Sequence, residues 1–91
     1  MLLKMKDGGR VNLYPDKKNY AVVYAYEDGS YLVVKGIFTI KENAERAFEQ
    51  VKKWFDTTSE GQKLKDGHDG LCWKCKPQLI ELEVNTKIIK E

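Results

Sequence analysis

"NYAVVYAYEDGSYLVVKGIF", Asn19 to Phe38, is the stretch whose reading decides the fold. Two runs rich in Tyr, Val and Ile flank Asp28-Gly29. Asp-Gly between such runs marks a tight β-hairpin, because a two-residue hairpin turn needs positive φ at both central residues. With Asp28 and Gly29 in those places, Glu27 faces Ser30, Tyr26 faces Tyr31, Tyr24 faces Val33 and Val23 faces Val34. Side chains alternate across a strand. One face then carries Ala21, Val23, Ala25, Leu32, Val34 and Gly36, and the other Tyr20, Val22, Tyr24, Tyr26, Tyr31, Val33, Lys35 and Ile37. The small apolar face is the expected seat of a helix, with the tyrosine face opposite it.

The helix follows at once. Thr39-Ile40-Lys41-Glu42 fits a capping box, and Ala44, Ala47, Phe48, Val51, Trp54 and Phe55 recur at helical spacing as one apolar stripe. Glu42 with Arg46 and Glu49 with Lys53 stand at i,i+4 on the outer side, where they would pair. Gly61 is the expected left-handed terminator. Further on, "QLIELEV" alternates Ile80, Leu82 and Val84 with Glu81 and Glu83, the pattern of a strand with one wet face. "LLKM" and "RVNLY" suggest a weaker N-terminal hairpin or two short strands, and "KII" at Lys87–Ile89 a continuation or a short separate strand. The expected fold is α+β. An antiparallel sheet is built on a hairpin (about 19–27 and 31–38), one helix (about 40–57) packs on it, and a C-terminal strand (about 78–85) completes it. Residues 57–77 read as a long charged loop within a single domain.

"YAVVYAYEDGSYLVVKGIFTIKENAERAFEQVKKW" followed by "LIELEVNT" resembles small, mostly uncharacterised β-β-α-β accessory proteins of bacteria and their phages. In those, a hairpin leads into a G-x-F turn, an Ala-rich helix and a strand of the I-E-x-E-V/L-N type. The matching residues here are Gly36-Ile37-Phe38, Ala44, Ala47 and Ile80 to Asn85, and the resemblance covers about two-thirds of the chain. It implies architecture and a phage or mobile-element source, and it carries no catalytic residues.

Composition limits the rest. The 91 residues suffice for one core, and the apolar fraction of 42% is ordinary for a globular chain. Sixteen basic and fourteen acidic side chains give a net charge of +2, too even for a dedicated DNA or RNA binder. Apolar runs are only a few residues long, and Met1-Leu2-Leu3-Lys4 is charged too soon for a secretory signal. A cytoplasmic, reducing setting is expected.

"HDGLCWKC" holds the chain's single histidine, His68, and both cysteines, Cys72 and Cys75. A C-x-x-C pair can give two thiolates to one zinc ion, with His68 as third ligand. Asp66, Asp69, water or a second subunit would supply the fourth, and two copies of the loop across a dimer axis would supply four thiolates. Catalytic dithiol chemistry fits less well, because Pro77 and a strand follow the motif where a thioredoxin-like site needs a helix. In the simplest alternative the thiols are small apolar residues and Trp73 or Leu71 pins the loop to the core. No Gly-rich loop opens a helix, and the histidine has no evident nucleophile partner, so no enzyme is expected.

The tyrosines give the main functional expectation. Tyr20, Tyr24, Tyr26 and Tyr31 with Lys35 would form an aromatic binding surface for a protein partner. Such rings also stack on bases, with Lys17, Lys18 and Lys35 meeting phosphates, and burial within the fold or a homodimer is the competing fate of this face. The leading expectation is a small non-enzymatic binding protein without cofactor. It would inhibit or sequester a host component through the tyrosine face, the charged loop or an exposed strand edge. The alternative is a zinc-stabilised nucleic-acid-associated or nucleotide-binding protein built on Cys72, Cys75 and His68.

Overall fold

The computed structural model describes residues 2–66, 74–84 and 87–89. Its elements in chain order are β1 (Leu2–Lys4), β2 (Asn19–Tyr26), β3 (Tyr31–Phe38), α1 (Lys41–Thr57), α2 (Ser59–Asp66), β4 (Cys75–Leu82) and β5 (Lys87–Ile89). The expected α+β fold is present: β3, β2 and β4 form an antiparallel sheet with β2 in the middle, and helices pack on it. The C-terminal strand starts at Cys75, three residues earlier than Gln78, so the second cysteine belongs to the sheet. β1 and β5 pair in parallel as a separate ribbon, Leu3 opposite Ile88, in place of an N-terminal hairpin.

The hairpin departs from the two-residue turn. Ala25 faces Tyr31, Tyr24 faces Leu32, Val23 faces Val33 and Val22 faces Val34. The connection is therefore a three-residue loop, Glu27-Asp28-Gly29, closed by Tyr26 N–H to the Ser30 carbonyl (2.9 Å) and Gly29 N–H to the Tyr26 carbonyl (3.1 Å). Gly29 alone among the loop residues has positive φ, at 84°. This is a turn followed by a left-handed residue, the usual three-residue solution. The Asp28 carboxylate decides it: one oxygen accepts from Ser30 N–H (3.0 Å) and from the Ser30 hydroxyl, the other from Lys6 Nζ (3.1 Å).

A one-residue slip re-sorts every cross-strand pair. Ala21, Val23 and Ala25 now share a face with Tyr31, Val33 and Ile37, and Tyr20, Val22 and Tyr24 share theirs with Leu32, Val34 and Phe38. The helix sits on the second of these, not on the alanine face. Val22, Ala47 and Val51 form its core with Tyr24, Val34, Phe38, Phe48 and Leu79 packed around them. The fit is large against small: the alanines of α1 meet the bulky sheet face. The alanine face is filled by the N-terminal segment, where Leu3, Met5, Ala21, Val23 and Leu82 are buried with Val11 and Leu13 against them. Burying a side chain such as Leu3, Val22, Val23 or Leu82 is worth about 1.5–3 kcal/mol.

Local details follow the same logic. The capping box does not form. The residue before α1 is Ile40, without a side-chain cap, and its carbonyl accepts from Asn43 and Ala44 N–H instead. The residues expected to be a loop include α2, and Gly61 lies inside it. Thr58 is the whole joint between the helices. Its N–H and hydroxyl bond to the Trp54 carbonyl, ending α1, and its hydroxyl accepts from Gly61 N–H (3.0 Å), capping α2. Buried Asn19 ties down the preceding loop: its side-chain oxygen accepts from Tyr14 N–H (2.8 Å), and its amide donates to the Tyr14 and Lys17 carbonyls. No helix among the described residues is long and apolar enough to cross a membrane.

Two tests follow from this geometry. The bonds from Ser30, then Lys6, hold the Asp28 carboxyl well below the usual carboxylate range. A lowered folded-state pKa contributes stability above the unfolded-state value and loses it as pH falls. Asp28→Asn is thus expected to melt below wild type at neutral pH and to fall less steeply below about pH 4; parallel melting profiles would show that the clasp contributes nothing. Separately, a Cβ on Gly61 would collide with the Phe55 backbone. Gly61→Ala should cost about 1–3 kcal/mol in denaturant unfolding, the range for overpacking, and an unchanged midpoint would contradict the α1–α2 contact.

Candidate functional site: an aromatic groove between α1 and β3

The residues marked out by the sequence do not stay together. Tyr31 is on the face away from the helix, packed with the Leu3–Met5 cluster. Tyr26 stands at the hairpin mouth opposite Cys75, with Lys6 Nζ 5.3 Å from its ring centre. Tyr20 is half-buried near the other end of β2, between Phe38 and Glu81. A continuous tyrosine surface opposite the helix is therefore not what the fold builds. Two things separate the tyrosines: α1 sits on the face that carries Tyr20 and Tyr24, and the register puts Tyr31 on the opposite face.

Tyr24 and Lys35 do come together, with a residue expected in the core. Trp54 is on the apolar stripe of α1, yet it is 41% exposed, while its neighbour Phe55 is buried against the Tyr24 ring at a centroid distance of 5.8 Å. The stripe is simply wider than the sheet beneath it, so Trp54 overhangs the β3 edge. Between helix and edge runs a groove of about 450 Å³, lined by Tyr24, Val34, Lys35, Gln50, Val51 and Trp54. It continues along α1 toward Phe38, Asn43 and Arg46, with Lys35 and Gln50 common to both stretches. Burial, and secondly Cys75, raises the Tyr24 pKa, so its hydroxyl stays neutral through the physiological range.

Lys35 reaches the groove by an unusual backbone. Ala21 pairs with Ile37 although Val22 pairs with Val34, so Lys35 and Gly36 are two extra residues in β3. Both have left-handed φ, 66° and 83°. Such bulges re-aim a side chain, and a lysine at positive φ is uncommon.

The strand edges are poorer contact surfaces. Lys6 N–H already donates to the Tyr31 carbonyl (2.7 Å), and the bulge interrupts β3 beyond Val34. On β4, Glu27 N–H donates to the Lys74 carbonyl (3.3 Å), so the even-numbered residues of this strand bond inward to β2. Pro77, an odd-numbered residue, turns its nitrogen outward and has no proton to offer an added strand.

Of the candidate metal ligands, His68 and Cys72 lie outside the described residues. Cys75 is buried in β4, at 7% exposure. Among the described residues, no three His, Cys, Asp or Glu side chains gather as a metal-holding group. The furrow beside Cys75 carries Lys65, Lys74 and Lys76, but Lys65 is paired with Asp56 (3.0 Å) and Lys74 with Glu27 (3.9 Å).

No family model matches this chain, and neither a curated protein nor a solved structure matches it.

Proposed function

We propose that this is a small non-enzymatic binding protein whose partner is another protein, seated on the groove between α1 and β3. The observation that supports this is Trp54: a large aromatic side chain overhanging an apolar floor of Val34 and Val51, beside half-buried Tyr24. Tryptophan and tyrosine carry a disproportionate share of binding energy at protein interfaces, above all where they border a pocket that a partner can desolvate. Gln50 and Lys35 at the rim supply hydrogen-bond donors that fix orientation. Sequestration suits such a surface better than turnover, because its polar groups are an amide, a lysine and a phenol held neutral. The cytoplasm remains the proposed setting.

Trp54 is exposed enough to remove without unfolding the domain. Trp54→Ala is expected to keep the wild-type melting temperature within a few degrees and to weaken the captured partner by about 30-fold or more, the scale of an interface hot spot. Tyr14→Ala, at a residue 51% exposed and outside the groove lining, is the matched control and should bind normally. Equal titration curves for Trp54→Ala and wild type against the purified partner would refute the groove as the contact surface.

A further inference from the structure

We infer that the groove selects an acidic peptide segment of the partner, with an apolar side chain seated against Tyr24 and Trp54 and its carboxylates on Lys35 and Arg46. This rests on the binding reading above and adds the chemistry of what is bound. Two independent features carry it.

The first is charge. The continuous groove has two cations, Lys35 and Arg46, two amides, Asn43 and Gln50, and no carboxylate in either stretch of its lining. Neither cation is ion-paired among the described residues. The i,i+4 partner that the sequence offers Arg46, Glu42, does not reach it. Lys17, Lys41, Lys52 and Lys53 are likewise outside any ion pair among the described residues, so what marks Lys35 and Arg46 is that they share one apolar groove. An apolar floor rimmed by two cations that no carboxylate among the described residues contacts directly is complementary to a segment that is apolar at one point and acidic around it.

The second is strain. Lys35 occupies left-handed backbone at φ 66° with Gly36 beside it at 83°, where glycine or asparagine would be favoured. The space at Gly36 is open, so no close approach dictates this bulge. What the bulge achieves is to place a long cation over the groove from a strand that otherwise presents Val34 there. Costly backbone conformations persist where the resulting side-chain position is used.

A nucleic-acid strand fits less well. Arg46 and Gln50 also line the next furrow along the helix, whose surface is mixed, with Glu49 and Asp56 beside Lys52 and Lys53. A phosphate backbone continuing in that direction would meet carboxylates, whereas nucleic-acid binding draws on several phosphate contacts in series.

The test titrates the full chain with three matched short peptides, each bearing one central Phe or Trp, flanked by Asp and Glu, by Asn and Gln, or by Lys. An oligothymidylate serves as the fourth probe. Binding is followed by the amide and indole N–H shifts of Lys35 and Trp54. The expected result is that the acidic peptide binds at least tenfold tighter than the neutral one and moves both signals, with the preference shrinking as salt is raised. Lys35→Gly and Lys35→Asn should lose that preference while melting no lower than wild type, and Lys35→Arg should keep it. Equal affinity for acidic and neutral peptides, or an acidic preference untouched in Lys35→Gly, would overturn the inference. So would tighter binding of the oligothymidylate than of any peptide. If the acidic and neutral peptides bind equally but Trp54→Ala weakens both, the charge assignment fails and the groove as binding surface stands; if Trp54→Ala weakens none of the peptides, the binding reading itself fails.

Discussion

The Asp28 carboxylate accepts from both the backbone N–H and the hydroxyl of Ser30, and through that clasp it fixes how β2 and β3 meet. The loop becomes three residues long, and each side chain of β3 is assigned its face one step away from where a two-residue turn would put it. This register puts Tyr31 on the Ala21–Val23 face with Leu3 and Met5, away from Tyr24, while α1 takes the Val22–Tyr24 face. Lys6 extends the clasp to the N-terminal segment, since its ammonium meets Asp28 while its backbone meets Tyr31.

The groove is a consequence of the same arrangement. With α1 on the bulky sheet face, its apolar stripe reaches past the edge at β3 and leaves Trp54 overhanging. The two extra residues in β3 then bring a cation to the rim. An aromatic wall comes from the helix, a second ring and the floor from the sheet, and the charge from a bulge. If β2 and β3 paired one residue differently, Val34 would leave the face that α1 covers.

Much of the architecture was legible because it rests on patterns with a physical period. Alternation gave the strands, the Ala44–Ala47–Val51–Phe55 spacing gave α1, and Ile80 and Leu82 gave β4. The register was not legible, because Asp-Gly suits both a two-residue turn and a three-residue loop ending in left-handed glycine. What decides between them is the side chain of Ser30, a short-range clasp that no hydrophobic pattern records. The helix seat was not legible either: both hairpin faces are apolar, and small-on-small packing looks as reasonable as the large-against-small fit that forms. Of the groove's lining, Tyr24 and Lys35 were named from the sequence, but for a surface opposite the helix and not beneath it. Trp54 was misplaced because helical spacing says which side a residue is on but not how far the sheet extends under it. Asn19 escaped notice since a buried asparagine bonding its own loop has no period at all. Lys35 beside Gly36 was the available hint of a bulge, glycine inside a strand being a common mark of one.

The most direct measurement is the set of inter-proton contacts across the helix–sheet interface in solution. The Phe55 ring lies against Tyr24, and Val51 against Val22 and Val34. Nuclear Overhauser effects are expected between the Phe55 and Tyr24 rings and between the Val51 and Val22 methyls, with the Ala21 and Ala25 methyls giving none to α1. Cross-peaks from Val51 or Phe55 to Ala21, Val23 or Ala25, with Tyr24 silent toward the helix, would contradict the seat of α1 and with it the groove.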